Sequence, residues 1–192
     1  MDYGILCAER SEFIILHPLS YPLKKQSSFI LVTVCMKTYT LFRNQTLNCT
    51  LEEAWHFFSS PENLDLLTPD DMKFKILTEK PIPKIFEGQI IQYKVHPILN
   101  IPLYWETKIT KVKEKQYFTD NQIKGPYKLW NHTHRFEEHN GKVIMTDELK
   151  YALPGGPLGR LAHKLFIKSK LEAIFNFRFK KVEALFNDKS SE

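Results

Sequence analysis

The fold is decided by a stretch that begins at Tyr127, ends at Ala152 and reads YKLWNHTHRFEEHNGKVIMTDELKYA. Its Asn140-Gly141 pair lies between two segments in which polar and apolar side chains alternate. Both residue types tolerate the positive φ angles of a two-residue hairpin turn. We therefore predict two antiparallel strands over 127–138 and 142–152. Such a turn sets the register of every cross-strand pair beyond it.

The register of this hairpin sorts its side chains onto two faces, because alternate residues of a strand share a face. One face receives four pairs, which are Trp130 with Tyr151, His132 with Leu149, His134 with Asp147, and Phe136 with Met145. Most of these side chains are apolar, so we expect them on the buried, concave face. The side chains expected in solvent are those of Thr133, Arg135, Glu137, Thr146, Glu148 and Lys150.

Asp147 is the informative member of the inner face. A carboxylate on a largely apolar face is costly unless it is paired. His134, directly opposite, can supply that pairing, and the carboxylate would then raise the pKa of the imidazole.

The rest of the chain extends the hairpin into a sheet. Period-two alternation predicts further strands over 73–78, 87–96, 102–112 and 116–123, and a first strand over 37–45. Short links between consecutive strands predict an antiparallel meander of about seven strands.

Helices are predicted on either side of this meander. Thr50 and Glu53 form a capping-box pattern before a first short helix, and Pro61 begins a second one. After the Pro154–Gly159 segment, a helix of about 28 residues, or about 42 Å, runs to about Phe186. The predicted architecture is therefore α+β, with an antiparallel sheet wrapped around one long C-terminal helix.

The inner face continues on the neighbouring strands. Phe118, Asp120 and Gln122 share one face of their strand, and Trp105 and Tyr93 occupy the same side of the next two. Apolar walls with sparse polar groups are typical of a ligand site. The alternative is a packed core in which the polar groups satisfy one another.

Composition excludes several classes of protein. The 192 residues include 14 Phe, 8 Tyr and 3 Trp, enough aromatic side chains for a large core or an apolar cavity. The three cysteines form no CxxC pair and no zinc-ligand spacing, so we predict no disulfide scaffold and no structural zinc site. No other metal and no cofactor is predicted. No apolar run approaches the roughly 18 residues of a membrane span, and no signal peptide is apparent, so we predict a cytoplasmic protein with no stable membrane insertion.

Residues 1–35 differ from the rest of the chain in their hydrophobic pattern. They contain two short apolar segments that are separated by prolines and a polar run. One interpretation is a mis-annotated start, with Met36 as the true beginning of a domain over 36–192. The other is a genuine N-terminal extension in which Phe29–Cys35 lengthens the first strand.

Two motifs resemble those of a known family. They are Phe118-x-Asp-x-Gln-x-x-Gly-Pro-x-x-x-Trp-x-His-x-His-x-Phe136 and Asp147-x-x-x-Tyr151-x-x-Pro-Gly-Gly-Pro-Leu-Gly159. Over residues 36 to 186 the chain resembles the SRPBCC ligand-binding proteins of the START and birch-pollen-allergen superfamily, which are often labelled polyketide cyclase/dehydrase-like or cell-division inhibitor. The resemblance implies the helix-grip fold with a deep hydrophobic cavity. The ferredoxin-type Cys/His cluster of the oxygenase branch is missing from the sequence.

The leading hypothesis is a protein that binds a small hydrophobic or aromatic ligand, such as a lipid, quinone or polyketide, in that cavity. The candidate ligand-binding residues are Tyr93, Trp105, Phe118, Asp120, Gln122, Trp130, His132, His134, Phe136, Asp147 and Tyr151. The alternative is a cyclase- or dehydratase-like enzyme in which His134, oriented by Asp147, is the catalytic acid or base.

A third hypothesis is a regulatory protein that binds a partner through its basic C-terminal helix. The basic residues concerned are Lys164, Lys168, Lys170, Arg178, Lys180 and Lys181, which we interpret more simply as the solvated face of that helix. Exposed aromatic residues are not interleaved with them, so nucleic-acid binding is not expected. The sequence contains nothing that predicts an oligomeric state.

Overall fold

The structure is a computed structural model that describes residues 36–97 and 101–188. Both interpretations of residues 1–35, including the lengthened first strand, concern a segment outside the described residues. None of the helices within the described ranges is both long and apolar enough to cross a bilayer.

Seven antiparallel strands form one sheet in the order β1-β7-β6-β5-β4-β3-β2. Their bounds are Tyr39–Leu47 (β1), Lys75–Ile76 (β2), Ile90–Val95 (β3), Leu103–Lys113 (β4), Tyr117–Lys124 (β5), Leu129–His139 (β6) and Lys142–Ala152 (β7). The predicted meander is thus confirmed. Strand β2 is shorter than the predicted 73–78, and it starts two residues later because Lys73 has a left-handed backbone with φ of 44°.

The hairpin register is confirmed along its whole length. Asn140 and Gly141 have φ angles of 51° and 73°, and the pairs run from His139 with Lys142 to Leu129 with Ala152. All four predicted inner pairs are present in this register.

One side chain of the predicted solvent face is buried. Thr133 is only 8% exposed, although its strand alternation directs it to the outer face. Thr119 of β5 lies directly opposite, and the two hydroxyl oxygens are 3.0 Å apart in a hydrogen bond. The prediction of solvent exposure is wrong here because it considers the hairpin without its neighbouring strand.

The first short helix, α1, runs from Leu51 to Phe58 and begins at the predicted capping box. The Thr50 hydroxyl accepts from the backbone N–H of Glu53, and the Glu53 carboxylate accepts from the backbone N–H of Thr50. Short 3-10 turns follow at Pro61–Leu64 and Asp70–Met72.

The C-terminal helix is continuous from residue 156 to 186. It comprises α2 (Gly156–Ala162), a π-helical turn (His163–Ile167) and α3 (Lys168–Phe186). Apolar clusters pack it against the sheet at two levels. Phe175 and Leu171 pack with Leu149 of β7, and Val182 packs with Trp55 and Phe136 nearer the end of α3.

Candidate functional site

An apolar cavity of about 390 Å³ lies between the inner face of the sheet and the C-terminal helix. Strands β3 to β6 supply one wall, α1 and the turns after it supply the rim, and α2 and α3 supply the other wall. The inner-face alternation predicted from sequence brings these strands' side chains to the cavity.

Aromatic rings form the wall of the cavity on strands β3, β4 and β6. The Trp105 ring stacks on Tyr93 with centroids 5.9 Å apart and meets the edge of Trp130 at 5.0 Å. Tyr127 packs against Trp130 with centroids 4.7 Å apart. Such a wall presents ring faces and edges to any apolar or aromatic molecule in the cavity.

Four polar side chains close into a ring at the sheet side of the cavity, and we call them the His–Asp ring. Asp120 Oδ2 lies 3.3 Å from His134 Nε2 and 3.6 Å from His132 Nδ1. Asp147 Oδ1 lies 2.6 Å from His134 Nδ1 and 3.3 Å from His132 Nε2. Each carboxylate therefore contacts both imidazoles, and each imidazole lies between both carboxylates.

Strand pairing explains how the ring assembles. Asp120 of β5 is directly opposite His132 of β6, and Asp147 of β7 is directly opposite His134. His132 and His134 are two residues apart on the central strand, so both face the same side. The predicted contact between His134 and Asp147 is confirmed.

Arg178 of α3 adds a positive charge next to the His–Asp ring. Its predicted position on the solvated face of the helix is wrong. Its side chain is 14% exposed, and Nε lies 3.7 Å from Asp147 Oδ2. The signal is present in the sequence, because Arg178 lies three residues after Phe175 and four before Val182, on the stripe that faces the sheet.

The predicted ligand-binding residues fall into two groups. Those that line the cavity are Tyr93, Trp105, Phe118, Asp120, Trp130, His132 and His134. Gln122, Phe136, Asp147 and Tyr151 are not among the residues that line it. A ligand-binding role for either group is a prediction.

Three of the residues away from the cavity have structural contacts instead. The Gln122 amide donates to the carbonyl of Tyr127 at 2.7 Å and accepts from its N–H at 3.2 Å, bracing the β5–β6 turn. Phe136 packs in the core against Phe58 and Trp55. The Tyr151 hydroxyl bonds to His163.

Comparison with solved structures identifies the fold. Protein CV1439 from Chromobacterium violaceum superimposes with a TM-score of 0.60 at 10% identity, over 78% of this chain and 98% of that one. Major latex-like protein 151 from Panax ginseng gives 0.57 at 11% identity, over 78% and 98%. A norcoclaurine synthase point mutant from Thalictrum flavum, in complex with a transition-state analogue, gives 0.56 at 16% identity, over 78% and 97%.

The chain has the SRPBCC fold. The expectation from the two sequence motifs is thereby confirmed for the architecture. No protein-family model and no curated protein sequence matches the chain. At these identities the likeness concerns the SRPBCC fold alone, and the chemistry must be argued from the site.

Within this SRPBCC cavity, the two histidines have opposite electrostatic surroundings. Burial and the neighbouring His134 lower the pKa of His132. Burial also disfavours the charged form of His134, but the Asp147 and Asp120 carboxylates outweigh it and raise the pKa of His134. The ring centroids of His132 and His134 are 3.9 Å apart, yet the pKa values of the two imidazoles are shifted in opposite directions.

Asp147 is ionised at the centre of this arrangement. Burial opposes its charge, but Arg178 and the two histidines outweigh burial and hold the pKa of this carboxyl well below its usual range. The site therefore combines an apolar wall with a fixed, buried set of charges that can orient a polar group.

Proposed function

We propose that this protein binds a small hydrophobic or aromatic ligand, of the lipid, quinone or polyketide kind, inside the cavity. The apolar body of the ligand lies against Trp105, Tyr93 and Trp130. Its polar group points to the His–Asp ring. The observation that carries the proposal is the meeting of an aromatic wall and a buried polar cluster in one cavity.

The dimensions of the cavity support this proposal. Small-molecule sites typically occupy about 300–1,000 Å³ and combine apolar walls with a few polar groups, and this cavity has about 390 Å³. A packed core would interdigitate its side chains and leave few voids larger than a water molecule. The norcoclaurine synthase mutant shows that an SRPBCC-fold protein holds a small molecule.

Two measurements test the proposal. Native mass spectrometry of the purified full chain would reveal any apolar molecule that co-purifies with it. Fluorescence titration with anilinonaphthalene sulfonate, an aromatic anion, measures occupancy directly. We expect saturable binding at one site.

Adjacent isoleucines provide a matched pair of variants. Ile91 lines the cavity and is 3% exposed, whereas Ile90 on the same strand is 47% exposed on the opposite face. Ile91→Trp fills the cavity and should weaken probe binding at least about tenfold, while Ile90→Trp should leave it unchanged. Equal affinities in two folded variants, or no bound molecule and no probe binding, would refute the proposal.

A second candidate function is acid–base catalysis on the bound molecule. It is favoured by one observation, the 2.6 Å contact of Asp147 Oδ1 with Nδ1 of His134, a residue that lines the cavity. A positioned acid or base contributes about 10²–10⁴-fold to a rate. Once a ligand is found, turnover that is lost in His134→Gln with binding retained would support this role, and unchanged turnover would remove His134 from it.

A further inference from the structure

We propose that Asp120, His132 and His134 bind a single divalent transition-metal ion, with Zn²⁺ as the test case, at the wall of the cavity. This goes beyond ligand binding and departs from the sequence-based expectation of no metal site. That expectation rests on cysteine spacing, whereas these ligands are brought together by the pairing of β5 with β6.

The spacing of the three donor groups fits metal coordination. One ligand atom from each of the three side chains lies within 4.8 Å of the other two. Zinc ligands about 2.0–2.1 Å from the metal at tetrahedral corners lie about 3.3–3.4 Å from one another. Asp120 Oδ2 lies 3.3 Å from His134 Nε2 and 3.6 Å from His132 Nδ1, which matches two edges of such a tetrahedron.

The remaining ring nitrogens lie close to a carboxylate oxygen, and His134 Nδ1 also lies 3.5 Å from Arg178 Nη2. A ligating histidine almost always donates its other ring N–H to a carboxylate or carbonyl, which holds the ring in place. Here both far nitrogens, His134 Nδ1 and His132 Nε2, face the same oxygen, Asp147 Oδ1, at 2.6 and 3.3 Å. Arg178 Nε lies 3.7 Å from the other oxygen of that carboxylate, in an ion pair.

The two carboxylates thus have separate places in the ring. Asp120 lines the cavity together with both histidines, whereas Asp147 is not among the lining residues. A metal ion held by the first three side chains would keep its remaining position directed to the cavity. Three protein ligands with one open position are typical of sites that bind a further molecule through the metal.

Charge and ligand type favour a divalent transition metal over Ca²⁺ or Mg²⁺. Two imidazoles and one carboxylate suit zinc, cobalt, nickel and iron(II), whereas calcium and magnesium prefer oxygen ligands. With both imidazoles neutral, the two carboxylates and Arg178 carry one net negative charge, which a divalent cation reverses to one positive charge. Without a metal, the same cluster is a closed network of ion pairs, and this is the rival interpretation.

Calorimetric titration of the chelator-treated full chain with ZnCl₂ alone separates the two interpretations. We expect one ion per chain, at least tenfold weaker binding in His132→Ala and Asp120→Asn, and unchanged binding in the control His139→Ala, whose ring is exposed at the end of the hairpin. Asp147→Asn should weaken binding about 10–100-fold, because Asp147 holds both rings in place. Circular dichroism establishes that each variant is folded.

Paramagnetic broadening by Co²⁺ tests the wild-type chain without any substitution. The ring protons of His132 and His134 should broaden at one equivalent of Co²⁺, and those of His139 should not. No stoichiometric binding of Zn²⁺ to the wild type, or binding that is lost in His139→Ala, overturns the proposal. Because no organic ligand is present, these results are independent of whether the cavity binds a hydrophobic molecule.

Discussion

The Tyr151 hydroxyl lies 2.8 Å from His163 Nε2 and joins the last strand to the π-helical turn of the C-terminal helix. Tyr39 of β1 stacks on the same imidazole, with ring centroids 3.5 Å apart. Burial and the nearby Lys168 and Lys37 cations lower the pKa of His163, which favours the neutral imidazole in this hydrogen bond. Burial also raises the pKa of Tyr151 to about 12, which keeps that proton in place.

Tyr151→Phe should therefore lower stability rather than ligand affinity. Removing the hydroxyl leaves the buried His163 nitrogen without its partner, at a cost of about 1–3 kcal/mol in the free energy of unfolding. Urea denaturation measures this loss. The control Tyr104→Phe removes a hydroxyl from a side chain that is 60% exposed and should change stability by less than about 0.5 kcal/mol. A loss of probe binding at unchanged stability in Tyr151→Phe would instead place Tyr151 in the ligand site.

The His–Asp ring shows where sequence reasoning succeeds and where it fails. The Asn140-Gly141 turn determines the β6–β7 register, so the pairing of His134 with Asp147 follows from the sequence alone. The pairing of β5 with β6 lacks such a turn signal, because β5 ends in the longer Gly125-Pro126 connection. The contact of Asp120 with both histidines consequently depends on a register that the sequence leaves open.

Errors on the helix and the outer face have a common physical cause. Charge alone groups Arg178 with the basic residues of the helix and neglects its position between Phe175 and Val182. The prediction places Thr133 in solvent because it considers the pairing of β6 with β7 and leaves out the pairing of β6 with β5. Side-chain burial depends on every element packed around a residue, and local alternation reports on one element at a time.

Replacing Asp147 with Asn should destabilise the protein in a pH-dependent way. The pKa of Asp147 is lowered in the folded state, so its contribution is present above the unfolded value of about 3.9 and is lost as pH falls through the folded pKa. Near neutral pH the loss should be about 3–5 kcal/mol, as for one partner removed from a buried ion pair. Chemical denaturation across a pH series should show that the difference in the free energy of unfolding between wild type and Asp147→Asn becomes smaller at acid pH. The control Asp65→Asn replaces an exposed carboxylate and should change the free energy of unfolding near neutral pH by less than about 0.5 kcal/mol.

The two histidines should titrate in a defined order in the metal-free chain. The pKa of His134 is raised and that of His132 is lowered, so acidification protonates His134 first. Charged His134 stabilises the fold below its unfolded pKa of about 6.5, and this stabilisation is lost as pH rises through its folded pKa. Ring NMR shifts followed against pH measure both values. Asp147→Asn should lower the pKa of His134, and a higher pKa for His132 than for His134 in the wild type would contradict this account.

Thr50→Ala should remove the capping box of α1. The Thr50 hydroxyl accepts the Glu53 N–H at 3.2 Å, and loss of such a cap costs about 0.5–2 kcal/mol. Thermal unfolding should show a corresponding drop in Tm. Thr50→Ser retains the hydroxyl and should keep most of the stability. If Ser and Ala at this position have the same Tm, the cap does not stabilise α1.

Gly159→Ala should destabilise the protein although it improves helix propensity. In a helix interior, alanine is favoured over glycine by about 1 kcal/mol. A Cβ at Gly159, however, would lie 2.1 Å from the carbonyl oxygen of Pro154, and relieving such overpacking costs about 1–3 kcal/mol. The steric cost should win, so chemical denaturation should show a net loss for Gly159→Ala. Ser169→Ala, at an exposed position of α3, isolates the propensity effect and should be neutral or slightly stabilising. A Gly159→Ala protein that is as stable as the wild type would contradict this expectation and would show that the start of the helix can shift away from Pro154.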